Sequence, residues 1–257
     1  MFKKILVILG SVVVCAIFSG YFWCAGRYAR QQAGLERCGH IDVIITNPQV
    51  QNFISEDEVA GMVESDAVGV RTGEIDTYAI ERKLCLSSAV CKAEAYIKCP
   101  STLTLEVTQR NPVVRFMTPS GGFYCDSSGY LLPLLGKVTL DLPVVSGHIP
   151  LEMPGIRGGY PESGRQWLAD MLDLCELIRI NSYWSKEIEQ IWIEGNYDIV
   201  LFTRSCDEKF IFGSAHDAAD KLRKMAGYYR TIRPEARAKG KNYTTVNLKY
   251  KDQIICK

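Results

Sequence analysis

Few side chains in this sequence could form a covalent catalytic site, since it has ten cysteines but only three histidines. Cys125 and His148 could act as a nucleophile and its base, with Asp126 or Asp141 orienting the imidazole ring. The sequence lacks the Gly-x-Ser-x-Gly, His-Glu-x-x-His, Ser-x-x-Lys and phosphate-loop motifs. Because structural buried cysteines outnumber activated ones, a hydrolase that uses Cys125 and His148 ranks below a non-catalytic role.

Cofactor, metal and nucleic-acid sites find little support in the residue pattern. No Cys-x-x-Cys pair occurs, so a zinc ribbon or a thioredoxin-type site lacks its local signature. Lys and Arg total 30 against 29 Asp and Glu, a formal charge of +1, whereas nucleic-acid binding needs a clear surplus of cations. We therefore expect no cofactor, no metal, no small-molecule substrate and no nucleic-acid partner.

The cysteines resemble small core residues more than a disulfide scaffold. Cys15 and Cys24 lie in an apolar N-terminal run, and Cys175 lies in the apolar stripe of a helical pattern. We expect most of the other thiols to be buried. One or two disulfides are an open alternative, with Cys85 and Cys91 the closest pair in sequence.

The uncharged run from Ile5 to Gly26 predicts one membrane-spanning helix, because it would extend roughly 30 Å. A cleaved signal peptide is the alternative, but this run is longer than a usual signal core and no Ala-x-Ala site follows it. A large domain after a single span is translocated largely regardless of nearby charge. We expect residues 1–4 inside the cell, residues 5–26 in the membrane and the remainder outside.

The segment after this run predicts a β-α-α-β-β order of elements. His40–Thr46 alternates as a strand, Ser55–Glu58 forms a capping box, and Asp76 is the N-cap of a second helix. Two further strands are predicted at Val90–Ile97 and Leu103–Arg110. This order defines a first domain over residues 39–110.

From Asn111 onwards the sequence predicts a mixed domain dominated by antiparallel sheet, over residues 111–257. Flanking helices are expected at Glu162–Ile180 and Ala215–Tyr229, because apolar residues recur there at helical spacing. Arg233–Lys241 is predicted to be a charged loop, and Tyr243–Cys256 the final strand. The predicted fold class of the chain is therefore α+β.

Several sequence phrases occur in the order found in one known family. The strongest is LTLEVTQRNPV at residues 103–113, followed by YCDSSG at 124–129, LPVVSG at 142–147 and VNLKY at 246–250. Their order, their spacing and the single N-terminal anchor resemble the FtsQ/DivIB family of bacterial cell-division proteins over nearly the whole chain. Gln109, Asn247 and Lys249 stand where the family usually has Glu, Asp and Arg.

This resemblance implies a non-enzymatic scaffold of the division septum that crosses the inner membrane once, with its N-terminus in the cytoplasm and most of the chain in the periplasm. Its POTRA domain is followed by the family's β domain. Family members capture the small bitopic coiled-coil proteins FtsB and FtsL, and the complex acts on the septal peptidoglycan synthase. The partner adds a strand to the exposed last strand, whose unpaired backbone groups suit this mode. Through the match at Tyr250, the resemblance places partner binding at Lys249, Tyr250, Lys251, Gln253 and Ile254.

Two alternatives to this assignment follow from the same residues. Lysines on an edge strand also protect it from aggregation, so the residues around Tyr250 could be a solvated edge without a partner. A POTRA-bearing component of an outer-membrane transport system is a further class. That class predicts tandem POTRA repeats or a series of alternating strands of about ten residues, and the sequence shows neither.

Overall fold

The chain folds into two compact units, Met1–Gln109 and Arg110–Lys257. Both units combine helices with β-sheet, as the α+β prediction expected. The structure is a computed structural model that describes residues 14–28, 35–47, 54–99, 101–134 and 140–257.

The predicted anchor lies only partly within the described residues. Helix α1 covers residues 14–28, and its side chains are exposed. Residues 5–13 of the predicted span, and the predicted tail at residues 1–4, lie outside the described residues. Of the helices in the described part of the chain, none is both long enough and apolar enough to cross a membrane.

The N-terminal unit has the predicted β-α-α-β-β order, with a short 3-10 turn at Thr72–Glu74 between the two helices. Its sheet has the order β1-β3-β2, in which β3 pairs parallel with β1 and antiparallel with β2. The elements are β1 His40–Ile45, α2 Glu56–Ala67, α3 Thr77–Leu84, β2 Val90–Cys99 and β3 Thr102–Gln109.

Both helices of this unit begin at the predicted caps. Ser55 Oγ accepts a hydrogen bond from the Glu58 amide at 3.2 Å, and Glu58 Oε2 accepts one from the Ser55 amide at 3.2 Å. Asp76 Oδ1 accepts a hydrogen bond from the Ala79 amide at 2.9 Å. The helices bury apolar residues together with one face of β3: Val59, Val63, Ile80, Leu84, Leu103, Leu105 and Val107.

The C-terminal unit is built on a nine-stranded sheet of order β12-β11-β10-β9-β8-β7-β4-β5-β6. Most neighbouring strands pair antiparallel; β4-β7, β7-β8 and β10-β11 pair parallel. The strands are β4 Pro112–Thr118, β5 Gly121–Asp126, β6 Leu131–Pro133, β7 Val144–Gly147, β8 Ile188–Ile193, β9 Ile199–Thr203, β10 Cys206–Gly213, β11 Thr245–Asn247 and β12 Ile255–Cys256. The helices are α4 Arg165–Ile180, α5 Trp184–Glu187, α6 Ala218–Gly227 and α7 Arg233–Ala238.

Helices cover one face of this sheet. Strand pairing aligns Phe116, Val145, Ile191, Leu201, Phe210 and Val246 in one row across it. These residues belong to a single core that contains every buried apolar residue of α4, α5 and α6. The core therefore lies between this row and the helices.

The helical region after α6 differs from the prediction. The predicted helix Ala215–Tyr229 is shorter, because α6 ends at Gly227 and a π-helical turn, Tyr228–Ile232, follows it. The predicted loop at Arg233–Lys241 was wrong, since α7 occupies its first part. Its proline lies in the first turn, where a helix needs no backbone donor.

The prediction of one continuous final strand over Tyr243–Cys256 was also wrong. Strand β11 ends at Asn247, and the chain turns back before β12 pairs antiparallel with β11. Asp252 adopts φ 58°, a left-handed conformation that a β-strand does not contain. Asn247 Oδ1 also accepts a hydrogen bond from the Lys249 amide at 3.0 Å, which favours a turn at this point.

Candidate partner-binding site

Strand β12 forms one edge of the large sheet. The Lys257 amide donates to the Thr245 carbonyl at 2.9 Å, and the Thr245 amide donates to the Lys257 carbonyl at 3.1 Å. Because such hydrogen-bonded pairs alternate along antiparallel strands, Cys256 occupies the non-hydrogen-bonded position opposite Val246. Its N–H and C=O groups therefore point away from β11, towards the free edge.

The side chains of β12 divide between the two faces of the sheet. Cys256 is half-buried and, with the preceding Ile254, packs against the helix-side core. Burial raises the pKa of the Cys256 thiol, and the nearby Glu208 carboxylate adds to the increase. Ile255 points to the other face and is 36% exposed. The edge thus offers backbone groups together with one accessible aliphatic side chain.

The structure places the five predicted contact residues in the turn that leads to this edge, not on a strand. Lys249 Nζ lies 2.7 Å from Asp198 Oδ2, so its charge is paired within the unit. The Tyr250 carbonyl accepts a hydrogen bond from Lys224 Nζ at 2.8 Å, while its side chain is 50% exposed. Lys251 and Gln253 are exposed, and Ile254 immediately precedes β12.

A close approach to Gly213 fixes the start of the turn. Gly213 has φ 78°, and a Cβ atom at this position would lie 2.7 Å from Lys249 Cγ. The Leu248 amide donates to the Ile211 carbonyl at 2.9 Å. The aliphatic part of Lys249 therefore packs directly on the backbone at the end of β10, and only glycine leaves room for it.

The two residues of the hydrolase alternative lie in different surroundings. Cys125 is fully buried in the helix-side core, and its Sγ donates to the Asp126 carbonyl at 3.3 Å. Burial raises the pKa of the Cys125 thiol far above its ordinary value, and the Asp126 carboxylate raises it further. His148 lines a surface cavity with Trp192. A thiol held protonated in the core is a poor nucleophile, which argues against the hydrolase alternative.

The nine cysteines whose side chains the structure describes are all free, and the predicted preference for buried thiols is met at four of them. Cys85 and Cys91, the closest pair in sequence, are both free and exposed. Burial raises the pKa of Cys175 to about 12. Within the described ranges, no three His, Cys, Asp or Glu side chains are grouped so that they could hold a metal ion. The buried thiols are Cys38, Cys125, Cys175 and Cys206.

Comparison with known proteins identifies the unit that carries this edge. Residues 111–257, more than half of the chain, match a family model described as FtsQ/DivIB, C-terminal related. The chain belongs to the FtsQ/DivIB family. Residues 36–108 match a model of a POTRA-like domain. The FtsQ/DivIB resemblance inferred from the motifs is thereby confirmed.

A similar individual protein is the cell division protein FtsQ of Geotalea daltonii. It is 24% identical over 198 residues, which cover 75% of this chain and 68% of that protein. The similarity thus covers most of the length of both proteins.

Sequence reasoning did not include three residues of this unit among the candidate contacts. Ile255 and Cys256 form the edge strand itself. Trp192 is 37% exposed on the face of the sheet opposite the helices. The alternation in Ile188–Ile193 already placed the side chain of Trp192 on the other face of the strand from its neighbours Ile191 and Ile193. That pattern was the available signal for Trp192.

Proposed function

We propose that this FtsQ/DivIB family chain is a non-enzymatic scaffold of the cell-division machinery. It recruits small bitopic coiled-coil proteins similar to FtsB and FtsL, and through them it helps to regulate the septal peptidoglycan synthase. The observation that carries the proposal is the free edge of β12 within a unit that matches the FtsQ/DivIB C-terminal model.

Docking occurs by addition of a partner strand to β12. The outward N–H and C=O groups of Cys256 supply backbone hydrogen bonds, which give affinity without long-range charge. Side-chain specificity comes from Ile255 and from the exposed ring of Tyr250 beside the edge. The other predicted residues, Lys249, Lys251, Gln253 and Ile254, border the same edge as parts of the preceding turn.

The N-terminal segment confines the scaffold to the inner membrane at the septum. We assign residues 1–4 to a cytoplasmic tail, residues 5–26 to the anchor, residues 39–110 to the POTRA-like domain and residues 111–257 to the β domain. Three consecutive aromatic residues near the end of the span, Tyr21, Phe22 and Trp23, are exposed. The Arg27 guanidinium lies 5.1 Å from the Trp23 ring, an arrangement that suits a membrane–water interface.

Depletion of the chain in its host tests this function. Cells that lose a division scaffold continue to grow but fail to close septa, so we expect long filaments by microscopy. Expression of the unaltered chain, or of a Cys125→Ala variant, should restore normal cell length. Normal septation after depletion would contradict the division role. A division defect caused by Cys125→Ala in a stably folded chain would support catalysis instead.

A further inference from the structure

Strand β2 forms one edge of the three-stranded sheet in the N-terminal unit. Ala95 of β2 lies opposite Leu105 of β3, yet its amide donates a hydrogen bond to Glu81 Oε1 at 2.8 Å. Along an antiparallel strand, residues alternate between those that bond to the neighbouring strand and those whose N–H and C=O groups point away from it. Ala95 is therefore an outward residue, and Glu81 of helix α3 occupies its position on the edge.

The outward positions of β2 continue on both sides of Ala95. The pairing of β2 with β3 is regular from Lys92 to Ile97, and its irregularities lie before and after this stretch. Ala93 and Ile97 therefore share the orientation of Ala95, with their backbone groups directed away from β3. Three outward residues in succession form an edge that is long enough to accept another strand. Glu81 binds the middle one.

Packing between α3 and β2 brings Glu81 to this edge. Ile80, the residue before Glu81, is buried in the core of the unit, and α3 packs directly against β2. Ala93 and Ala95 face the same core and are only 7% and 8% exposed. Their small side chains allow the helix to lie close to the strand. Glu81 is half-buried at the border of this contact, within reach of the Ala95 amide.

The hydrogen bond between Ala95 and Glu81 opposes the addition of a strand at β2. A carboxylate acceptor makes it stronger than a bond between neutral groups. A strand that arrives at this edge must use its own carbonyl oxygen to accept from the Ala95 amide, so Glu81 has to leave first. The displaced carboxylate would lie half-buried beside the carbonyl groups of the new strand, where acceptors face acceptors and no donor is supplied.

The docking edge at β12 differs from β2 in this respect. The hydrogen bonds around β12 join Lys257 to Thr244 and Thr245, on the inner side of the strand. Among the residues that the structure describes, no side chain accepts a hydrogen bond from the outward N–H group of Cys256. The two edges are thus in opposite states: the backbone of β12 is open, and that of β2 is closed at its centre.

We propose that Glu81 closes the β2 edge against strand addition, above all against the β2 strand of a second copy of this chain. Two copies of one edge can pair with each other antiparallel, since such a contact uses the same surface twice. Pairing centred on Ala93 would place Lys92 of one copy opposite Glu94 of the other, which brings opposite charges together. This role of Glu81 is independent of the partner that β12 accepts.

Hydrogen–deuterium exchange at single-residue resolution, on the full-length chain in detergent at low concentration, tests the contact. Glu81→Ala removes the acceptor, and we expect the Ala95 amide to exchange about tenfold faster. Glu81→Gln keeps an acceptor oxygen and should retain most of the protection. Glu94→Ala is the matched control: it removes the same charge from β2, but Glu94 pairs with Glu106 and lies on the other face. It should leave Ala95 unchanged.

Sedimentation velocity over a range of concentrations tests the consequence. Glu81→Ala should lower the dissociation constant of a dimer by at least about tenfold relative to the unaltered chain. The Glu81→Gln and Glu94→Ala variants should sediment like the unaltered chain. At high concentration, exchange of the Ala93 and Ile97 amides should become slower in the Glu81→Ala variant, because the second copy now binds them.

Each contrary result overturns the proposal at a defined step. Unchanged exchange at Ala95 in the Glu81→Ala variant would show that the hydrogen bond does not protect this amide. Faster exchange without tighter self-association would show that the bond does not close the edge. Self-association without slower exchange at Ala93 and Ile97 would place the contact elsewhere. An equal acceleration at Leu105, on the central strand, would indicate general unfolding in place of an opened edge.

Discussion

The hydroxyl group of Tyr228 donates a hydrogen bond to Glu208 Oε1 at 2.9 Å, and both side chains are buried in the C-terminal unit. Arg233 Nε lies 3.5 Å from the same carboxylate oxygen. Tyr228 begins the π-helical turn and Glu208 lies on β10, so this contact joins the helical region to the sheet close to β11 and β12. Buried polar contacts as well as apolar packing therefore support the part of the sheet that leads to the proposed docking edge.

Tyr228→Phe removes the donor from this contact while it keeps the aromatic ring. We expect the free energy of unfolding to fall by about 1–3 kcal/mol, because the buried carboxylate loses a hydrogen bond. Chemical denaturation of the full-length chain in detergent measures the change. Tyr250→Phe, at an exposed position, is the control and should change stability by less than about 0.5 kcal/mol. Equal stabilities of the two variants would contradict a structural role for the Tyr228 hydroxyl.

Stability should decrease in acid because of Glu208. Burial opposes ionisation of this carboxyl, but hydrogen bonds from its own amide, Tyr228 and Cys206 outweigh burial and lower its pKa below the ordinary value of a glutamate. A lowered pKa contributes stability that is present above the unfolded value and is lost as the pH falls through the folded value. The free energy of unfolding should therefore decline below about pH 4.5.

Glu208→Gln should reduce this acid dependence, because the variant has no carboxyl group to titrate at that position. Glu187 also has a lowered pKa: burial raises it, but hydrogen bonds from Ser205 and Tyr229 more than compensate, so part of the slope should persist. Unfolding measured between pH 7 and pH 3.5 compares the two proteins. Identical slopes would show that Glu208 does not contribute.

Asp126 should be among the most sensitive polar positions in the C-terminal unit. Its Oδ1 accepts hydrogen bonds from the Ser128 amide at 2.9 Å and the Tyr130 amide at 3.0 Å, and its Oδ2 pairs with Arg110 Nη1 at 2.9 Å. Asp126→Ala leaves these groups without their acceptor and should cost about 3–5 kcal/mol of unfolding free energy. The unfolding midpoint in denaturant is the measurement.

The control for Asp126 is an exposed ion pair in the same unit. Glu189 Oε1 lies 3.0 Å from Arg204 Nε, and both side chains are more than half exposed. Glu189→Ala should therefore change stability by less than about 1 kcal/mol. A comparable loss from both alanine variants would contradict the special role of the buried pair.

Gly147 is required where β7 ends beside β8. It has φ 104°, and a Cβ atom there would lie 2.2 Å from the Ile193 carbonyl oxygen. Gly147→Ala should destabilise the unit by at least about 1–3 kcal/mol, since both the backbone conformation and the close approach oppose a side chain. Gly195→Ala is the matched control, because no atom lies within 4 Å of a Cβ at that position. Thermal unfolding that responds equally to both substitutions would refute this account.

Local patterns explain why much of the fold follows from the sequence. The caps at Ser55 and Asp76 depend on residues within three positions, and the apolar stripe of α4 is evident within the helix itself. The β-α-α-β-β order of the POTRA-like domain follows from local signals of this kind. The FtsQ/DivIB resemblance likewise rests on short phrases that retain their order.

The residues that the sequence did not reveal depend on pairing between distant segments. Alternation alone predicted one strand from Tyr243 to Cys256. In the structure, the turn around Asp252 reverses the chain, so that Ile255 pairs with Asn247. The order and register of the large sheet depend on pairing between distant strands, which no local pattern contains. Trp192 was identifiable as a residue opposite the core, but its alignment with Ile255 required the sheet order.

Capture of the division partners by variants of Cys256 tests the central claim, docking at the β12 edge, most directly. Cys256→Pro removes the outward N–H group and leaves the hydrogen bonds between Lys257 and Thr245 in place. Cys256→Ala removes the same thiol and keeps the N–H group. Both full-length chains are purified from membranes, and the recovered FtsB- and FtsL-like proteins are quantified. We expect the proline variant to lose at least about 90% of its partner while the alanine variant retains it; equal recovery by two folded variants would contradict docking at this edge.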